Sequence, residues 1–408
     1  MTDTVHTRCC IAGGGPAGMM LGYLLARAGV DVYVLEKHKD FLRDFRGDTI
    51  HPSTLELMHE LGILDEFLQL PHQEVRELAG QVGGETVTIA DFTHLPTHCQ
   101  FLAFMPQDVF LNFIAGKGKA FPQFHLNMSA EVFDIVQDNG VVTGVRAKTS
   151  GGEKEIRADL IVGADGRRSV VRNLAELQIT NLGAPMDVMW MRMSHLPGDP
   201  KQTFGHVEAG KIFVMLDREE YWQCAYVIPK GSADMVHEKG LAAFRQEIVR
   251  LSPFLGNRVE ELRDWKDISL LTVSVDRLSQ WSRPGLLCIG DAAHAMSPIG
   301  GVGINLAIQD AVAAANILAP IFLEGRPSVA ELAEVQRQRD FPTRATQRMQ
   351  TFVQNRVLAR VMSSDKPISL PWPLKLLRRW PILRRIPARI IGVGFRPEHI
   401  KTSNLREA

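Results

Sequence analysis

The chain carries no surplus of either charge: 46 lysines and arginines stand against 46 aspartates and glutamates. That balance argues against a nucleic-acid binder, whose domains carry a basic excess. Cysteine is scarce. The five present (Cys9, Cys10, Cys99, Cys224 and Cys288) form no CxxC pair and no metal-ligand spacing, so neither a metal centre nor a disulfide framework is expected. Cys9, Cys10 and Cys288 lie in apolar strand-like runs and read as buried thiols, which suits a reducing cytoplasmic compartment. No run of about 18 consecutive apolar residues occurs, so no membrane span is expected. The first apolar stretch is short and runs straight into glycines, unlike a secretory signal. Repeats and low-complexity tracts are missing too, which excludes solenoids and long disordered arms. What remains is an ordinary globular composition, 45% hydrophobic and 23% charged, in 408 residues. That length favours two packed domains.

The two ends of the chain carry α/β patterns. Residues 8–36 read as strand, tight turn, helix and a second buried strand, one βαβ unit. Helices are expected over about 52–69, 107–119, 234–251, 303–323 and 328–361. Residues 124–150 alternate apolar and polar around Asn139-Gly140, a hairpin signal. Between these lie DVMWMRMSHL, TFGHVEAG, KIFVMLD and YWQCAYVIP, spaced like an antiparallel sheet, and DISLLTVSV at 267–275 reads as a further strand. A dinucleotide-type domain is therefore interrupted by a sheet-rich one.

Three motifs carry chemistry. Gly13-x-Gly15-x-x-Gly18 follows a strand and opens a helix, where it permits a tight turn, approach of a pyrophosphate and close helix packing. The helix N-terminus offers N–H groups and positive dipole to phosphate. Glu36 ends the next strand 18 residues after Gly18, placed for ribose hydroxyls. ADLIVGADGRRSVVR (158–172) ends a buried strand in Asp165-Gly166 beside Arg167, Arg168 and Arg172; read alone, it fits a plain corner with surface arginines. GLLCIGDAAHAMSPIGGVGIN (285–305) places Asp291 at a strand's carboxyl end, where open α/β sheets bind ligands. Gly300, Gly301 and Gly303 then precede a long apolar helix whose N-terminus suits a ligand that carries negative charge.

The order and spacing of GGGPAG, GADGRRSVVR and GDAAHAMSPIGGVGIN resemble the FAD-dependent group A aromatic hydroxylases, typified by para-hydroxybenzoate hydroxylase and the ubiquinone-pathway hydroxylases. The resemblance covers roughly residues 8–360. It implies an α/β fold: a Rossmann-type, GR2-like FAD-binding domain (1–75, 106–179 and 276–365) interrupted by a mainly antiparallel β-sheet substrate domain (76–105 and 180–275). A short C-terminal helical tail (366–408) follows. It also implies non-covalent FAD, NADH or NADPH as electron donor, and O2. The expected activity is monooxygenation of a phenolic or related electron-rich small molecule through a flavin C4a-hydroperoxide. The cofactor-binding residues it implies are Gly13, Gly15, Pro16, Ala17 and Gly18, then Glu36, Lys37, Arg46 and Gln107. Asp165 and Gly166 follow from the DG motif, and Asp291, Pro298, Gly300, Gly301, Gly303 and Ile304 from the GD motif. With the hard chemistry on the flavin, no metal and no catalytic triad are expected. A base for a phenol proton would come from His51, His206 or His294, and Pro298 stands beside the expected ring. Met191, Met193, Met215, Trp190, Trp222 and Tyr226 are candidates to line an apolar pocket, or plain sheet core.

The chain departs from longer relatives in being too short for a thioredoxin-like extra domain. No tyrosine pair or arginine for a small phenol acid can be matched, and only four tyrosines are present, which points to a substrate larger and more apolar than a benzoate. A flavin reductase or dehydrogenase of a lipophilic substrate, and a non-catalytic FAD-fold carrier, are the alternatives; a homodimer is compatible with all of them. Residues 366–397 hold eight lysines and arginines and no acid. Prolines break this stretch into short pieces. It reads either as short helices packed on the FAD domain or as a surface for peripheral contact with an anionic membrane.

Overall fold

The computed structural model describes residues 3–42, 49–200, 204–218, 220–364, 366 and 368–405. Asp3–Ala12 (β1) is the centre of a parallel sheet. Val32–Glu36 (β2) and Phe124–Met128 (β3) add on one side, and Gly152–Gly163 (β4) and Leu286–Cys288 (β5) on the other. The order is β5-β4-β1-β2-β3. These strands are apolar on both faces because both faces are covered. Cys9, Cys10, Ile11, Leu160, Ile161 and Leu287 are essentially inaccessible.

The helices used below are Pro16–Arg27 (α1), Pro52–Glu60 (α2), Gln107–Gly118 (α3), Val170–Leu174 (α4) and Leu241–Leu251 (α5). They continue with Gly303–Glu324 (α6), Val329–Val353 (α7), Trp372–Arg379 (α8) and Arg385–Gly392 (α9). α1 packs on α6, and α6 on α7. Among the described residues one segment, Ile299–Glu324, which contains α6, has the length and mean hydropathy to cross a membrane, although Asn305, Gln309 and Asp310 interrupt its apolar run. Its apolar surface is spent inside the protein, with Ile308, Ala311, Val312, Ala314 and Leu318 fully buried in the main core.

A second sheet, seven strands wide, runs in the order Ser269–Leu271, Met186–Ser194, Tyr221–Pro229, Lys211–Asp217, Phe204–Glu208, Glu77–Val82 and Glu85–Asp91. All its pairings are antiparallel except Phe204–Glu208 with Glu77–Val82. Alternation sends Met189, Met191, Met193, Met215, Trp222 and Tyr226 to one face, packed with Phe244 and Ile248 of α5. Val188, Trp190, Val214 and Ala225 point to the other, against Ile299, Leu358 and Val361. That second face is the one turned toward the loop of the GD motif.

Several expected elements are shorter or broken. The strand expected over 267–275 pairs only at Ser269–Leu271. The helix expected over 234–251 divides at Gly240, whose φ of +85° no helix accommodates. The helix expected over 328–361 changes to a π-turn at Gln354–Leu358 before Ala359–Met362. The hairpin turns at Asn139-Gly140 as expected, but its strands are Glu131–Asp138 and Val141–Thr149, and β3 belongs to the parallel sheet instead. The tail forms α8, a 3-10 turn at Pro381–Arg384 and α9. Its last residues return to α1, where Arg27 Nη1 donates to the Thr402 carbonyl at 3.0 Å.

Candidate active site

The three motifs lie some 150 and 125 residues apart along the chain and meet at the carboxyl ends of β1, β4 and β5. A Cβ at Gly13 would lie 2.3 Å from the Ala164 carbonyl oxygen, so only glycine lets the first motif touch the second. A Cβ at Gly18 would lie 1.9 Å from the Gly13 oxygen, which is the close helix packing the spacing implied. At Gly15 a Cβ would meet nothing within 4 Å. Gly15 is also the N-cap of α1 and no side chain caps it. The first N–H groups of α1, after Pro16 at N1 and with Ala17 behind it, thus open beside the unobstructed Gly15, where an anionic group is favoured. The third motif closes against the first: a Cβ at Gly290 would come 3.1 Å from Ala17 Cβ.

Glu36 ends β2 and is 8% exposed. It accepts from the Gly14 N–H at 2.9 Å and from the His38 N–H at 3.1 Å, and its Oε1 lies 2.5 Å from His38 Nδ1. Burial pushes this carboxyl up, but the bonds from His38 and Gly14 outweigh it and hold it below the usual range. The acid is therefore ionised beside the cradle, as an acceptor for hydroxyl donors must be. Lys37 is exposed, and Gln107 is half-buried at the first position of α3. Arg46 lies outside the described residues.

The arginines of the DG motif are not a surface cluster. Asp165 Oδ2 accepts from the Val170 and Val171 N–H groups at 2.7 and 3.2 Å, so it caps α4 beyond the Gly166 turn. Burial raises its carboxyl above the usual range, against the pull of Ser169 and those N–H groups, and its Oδ1 is buried without a protein partner. Arg167 Nε donates to Asp291 Oδ2 at 3.1 Å, and Arg167 Nη1 is buried and unpartnered. Arg172, 3% exposed, donates to the Ala292 and Arg167 carbonyls at 3.2 and 2.8 Å. Arg168 is exposed, Arg167 half-buried and Arg172 buried. Asp291 is thus a half-exposed carboxylate paired with Arg167 at a strand end, next to Gly290, which closes on α1. The unpartnered Asp165 and Arg167 atoms and the open Gly15 cradle are what a bound dinucleotide's hydroxyls and phosphates would complete, and the residues fit FAD on that ground.

The loop after Asp291 is held by side chains that sequence reading missed. Asn305 Oδ1 accepts from the His51 N–H and the Thr54 hydroxyl, both at 2.8 Å, while its amide donates to Thr49 and Gly301 carbonyls. Pro298 and Gly300 edge the loop, Gly303 opens α6, and Ile304 behind them is 9% exposed. Gly301 has φ +63° and packs against Thr49. From α7 and its π-turn come three buried glutamines. Gln347 donates to the Asp276 and Ala295 carbonyls at 2.7 and 3.2 Å. Gln350 accepts from the Ser297 N–H at 3.1 Å and donates to the Ser297 and Ile299 carbonyls, both at 2.9 Å. Gln354 donates to the Ser297 hydroxyl at 2.7 Å. The spacing 347, 350, 354 puts all three on one helix face; a glutamine at i, i+3 and i+7 in a long helix was the available signal.

The three histidines separate. His51 is 1% exposed and caps α2, its Nδ1 2.6 Å from the Ile391 carbonyl. Burial lowers its pKa to about 4, opposed by the carbonyls of Ile391 and Gly300. His294 is buried against Asp310, Nε2 to Oδ2 2.5 Å, with Arg339 Nε on the same carboxylate at 2.9 Å. His206 pairs across the second sheet with Phe213, which places it on the face covered by α5 and away from the loop of the GD motif. Of the six pocket candidates, Trp190 alone lies on the loop-facing side; Met191, Met193, Met215, Trp222 and Tyr226 are core under α5. On the loop-facing side, Gln223 is 4% exposed and accepts from Arg218 Nε at 3.1 Å.

A family model described as "FAD binding domain" matches residues 6–349. The chain is 32% identical over 397 residues to the 6-methylpretetramide 4-monooxygenase of Streptomyces rimosus, covering 95% of this chain and 93% of that one. It is 24% identical to the para-nitrophenol 4-monooxygenase of a Pseudomonas strain, covering 77% of this chain and 78% of that one. With the rifampicin monooxygenase of Streptomyces venezuelae it shares 29% identity but spans only 61% of that longer protein. Among solved structures, p-nitrophenol 4-monooxygenase from Pseudomonas putida superposes with a TM-score of 0.75 at 22% identity, over 97% of this chain and all of that one.

Proposed function

Because this chain belongs to the FAD binding domain family and is an FAD-dependent monooxygenase of the aromatic hydroxylase type, we propose that it hydroxylates a phenolic ring larger and more apolar than a benzoate. The observation that supports this most is the junction of Gly13–Gly18, Asp165–Arg172 and Gly290–Gly303 around one open cradle. NAD(P)H is the electron donor and O2 the oxidant. Bound FAD supplies hydride acceptance and oxygen activation; the protein supplies position and a dry, polarised setting. In this reading the N–H groups of α1 take the pyrophosphate, and Glu36 with Lys37 takes the adenosine ribose. Asp291, steadied by Arg167, accepts from the ribityl hydroxyls. Gln107 and Asp165 border the cofactor. Pro298, Gly300 and Gly301 edge the ring, and the N-terminus of α6 at Gly303 and Ile304 faces its negatively charged side.

The substrate in this reading lies between the loop and the sheet face of Trp190, Val214 and Ala225. The relative named for 6-methylpretetramide supports a substrate of more than benzoate size. His51 and His294 are held by backbone and carboxylate, so neither serves as the phenol base. The sheet-rich parts of the chain, 76–105 and 180–275, form the substrate domain, and the remainder up to 365 the FAD domain. A homodimer working in the cytoplasm, with the basic tail at a membrane surface, completes the proposal.

The test is a purified yellow protein given NADH or NADPH, candidate phenols and 18O2. One labelled oxygen atom in the product, and flavin released into the filtrate on denaturation, are the expected results. NAD(P)H-linked reduction of substrate without label would replace hydroxylation by the reductase reading.

A further inference from the structure

The tail places four large exposed apolar side chains within fifteen residues: Trp372 is 75% exposed, Trp380 52%, Ile382 64% and Ile386 57%. They are not spread at random. In α8, Leu374 packs on Val82, Val87 and Leu370, and Arg378 pairs with Glu85, so this side of the helix faces the strand Glu85–Asp91. Trp372, Lys375 and Arg379 stand at i, i+3 and i+7 on the opposite side, and all three are exposed. In α9, Ala388 and Gly392 are buried, with Gly392 closing on Leu95 and Phe92. Ile386 and Arg389 point outward. The result is one outward surface of tryptophan and isoleucine set among cations, in a stretch with eight lysines and arginines and no acid.

We propose that this outward surface of α8, Pro381–Arg384 and α9 docks on an anionic lipid bilayer. Solvated arginines need no partner, but two exposed tryptophans beside them leave apolar area that water disfavours. An isologous contact with a second copy would cover that area, yet it would set Arg379 and Arg389 of one copy near those of the other. A bilayer bearing anionic headgroups satisfies both features. Guanidinium and ammonium groups meet lipid phosphate, tryptophan rings rest at headgroup level, and isoleucines reach the acyl boundary. α8 and α9 both pack on Glu85–Asp91, the edge strand of the second sheet. Docking therefore brings the sheet assigned to the substrate against the phase where lipophilic molecules reside. The inference rests on the tail's part in the function proposed above and does not depend on the oxidation chemistry.

The test is flotation of the FAD-loaded full chain with phosphatidylcholine vesicles, with and without phosphatidylglycerol. Binding to the anionic vesicles at low salt, lost at high salt and absent with phosphatidylcholine alone, is expected. Lys375→Gln, Arg379→Gln and Arg389→Gln should each weaken it by about fivefold. Trp372→Ser combined with Ile386→Ser should abolish it while melting temperature and flavin content stay at wild-type values. Absence of flotation at low salt, or binding untouched by the serine pair, overturns the proposal. So does a concentration-dependent dimer that the serine pair dissolves in a protein that does not float; that outcome assigns the surface to a second copy. A floating protein that fails to hydroxylate would overturn the proposed reaction and leave the docking surface standing.

Discussion

Asp291 shows how little a single carboxylate says by itself. At the end of β5 it is half-exposed and holds one arginine, Arg167, at 3.1 Å. A half-exposed pair of this kind contributes only about 0–1 kcal/mol to folding. In the function proposed above, its worth lies in an acceptor for ligand hydroxyls. One charge-assisted hydrogen bond to a bound ligand contributes about 1.5–3 kcal/mol, or roughly 10–150-fold in affinity. Asp291→Ala is therefore expected to raise the FAD dissociation constant by that factor with little change in the melting temperature of the apoprotein. Flavin fluorescence titration measures the first and calorimetry the second. Wild-type affinity in the variant would remove Asp291 from the site. Glu36 is different: its bonds to Gly14 and His38 make it part of the turn as well, so its replacement would disturb fold and ligand together.

Among elements, α7 is the one whose role changed most between pattern and structure. Gln347 and Gln350 lie in it, and Gln354 opens the π-turn that follows. In the fold all three are fully buried; Gln347 and Gln350 satisfy backbone groups of residues 295–299, the loop beside the expected flavin ring, and Gln354 donates to the Ser297 hydroxyl. A loop inside the protein must have its N–H and C=O groups paired, and side chains must do it where no strand can. Gln350→Met keeps length and removes three hydrogen bonds. Each buried group left unpartnered costs about 1–3 kcal/mol, so a loss of roughly 3 kcal/mol or more in unfolding free energy is expected, with weaker FAD binding beside it. Denaturant unfolding of apo and loaded protein checks both; an unchanged midpoint would show the ladder to be dispensable.

At the scale of the whole molecule, buried charge and polarity tie the tail to the FAD domain. Asp310, with no exposed surface, holds His294 and Arg339, and Arg339 Nη1 reaches Glu398 Oε1 at 3.3 Å. Burial raises the Asp310 carboxyl, but His294 and Arg339 outweigh it and hold it below the usual range. His51 joins α2 to Ile391 and has a pKa of about 4. Both groups make acid destabilising, over different windows. An unfolded histidine titrates near pH 6.5, so between about 6.5 and 4 the unfolded chain takes up a proton that the folded one refuses. Stability is present above that window and falls through it, by about 3 kcal/mol in total. Asp310 adds its loss only below the unfolded carboxylate pKa of about 3.9. Unfolding free energy measured from pH 7 to 4.5 is expected to fall for the wild type and to fall less for His51→Gln. Equal slopes would show that His51 is protonated, or exposed, in the folded protein.

Local sequence determined the elements whose cause is local. The turn of Gly13–Gly18, the burial of β1, the Asn139-Gly140 hairpin and the apolar length of α6 each follow from a few neighbouring residues. The three motifs were legible for the same reason, since a strand end, a glycine and a helix start are short-range features. The junction of those motifs was not written in any one of them. Arg167 meets Asp291 across 124 positions, and Asn305 meets Thr49 across 256; pairing of β4 with β5 brings the first two together, and contact of α6 with the strand Thr49–Ile50 the second two. The sides of the second sheet were decided in the same way. Period-two alternation separates Trp190 from Met191 but cannot say which face α5 will cover. Only the tertiary structure decided that Trp190 looks to the loop of the GD motif, that His206 looks away, and that three glutamines spend their amides on a loop rather than on water. Those outcomes depend on contacts between residues distant in the chain, where burial turns a polar side chain from solvated surface into a required hydrogen-bond partner.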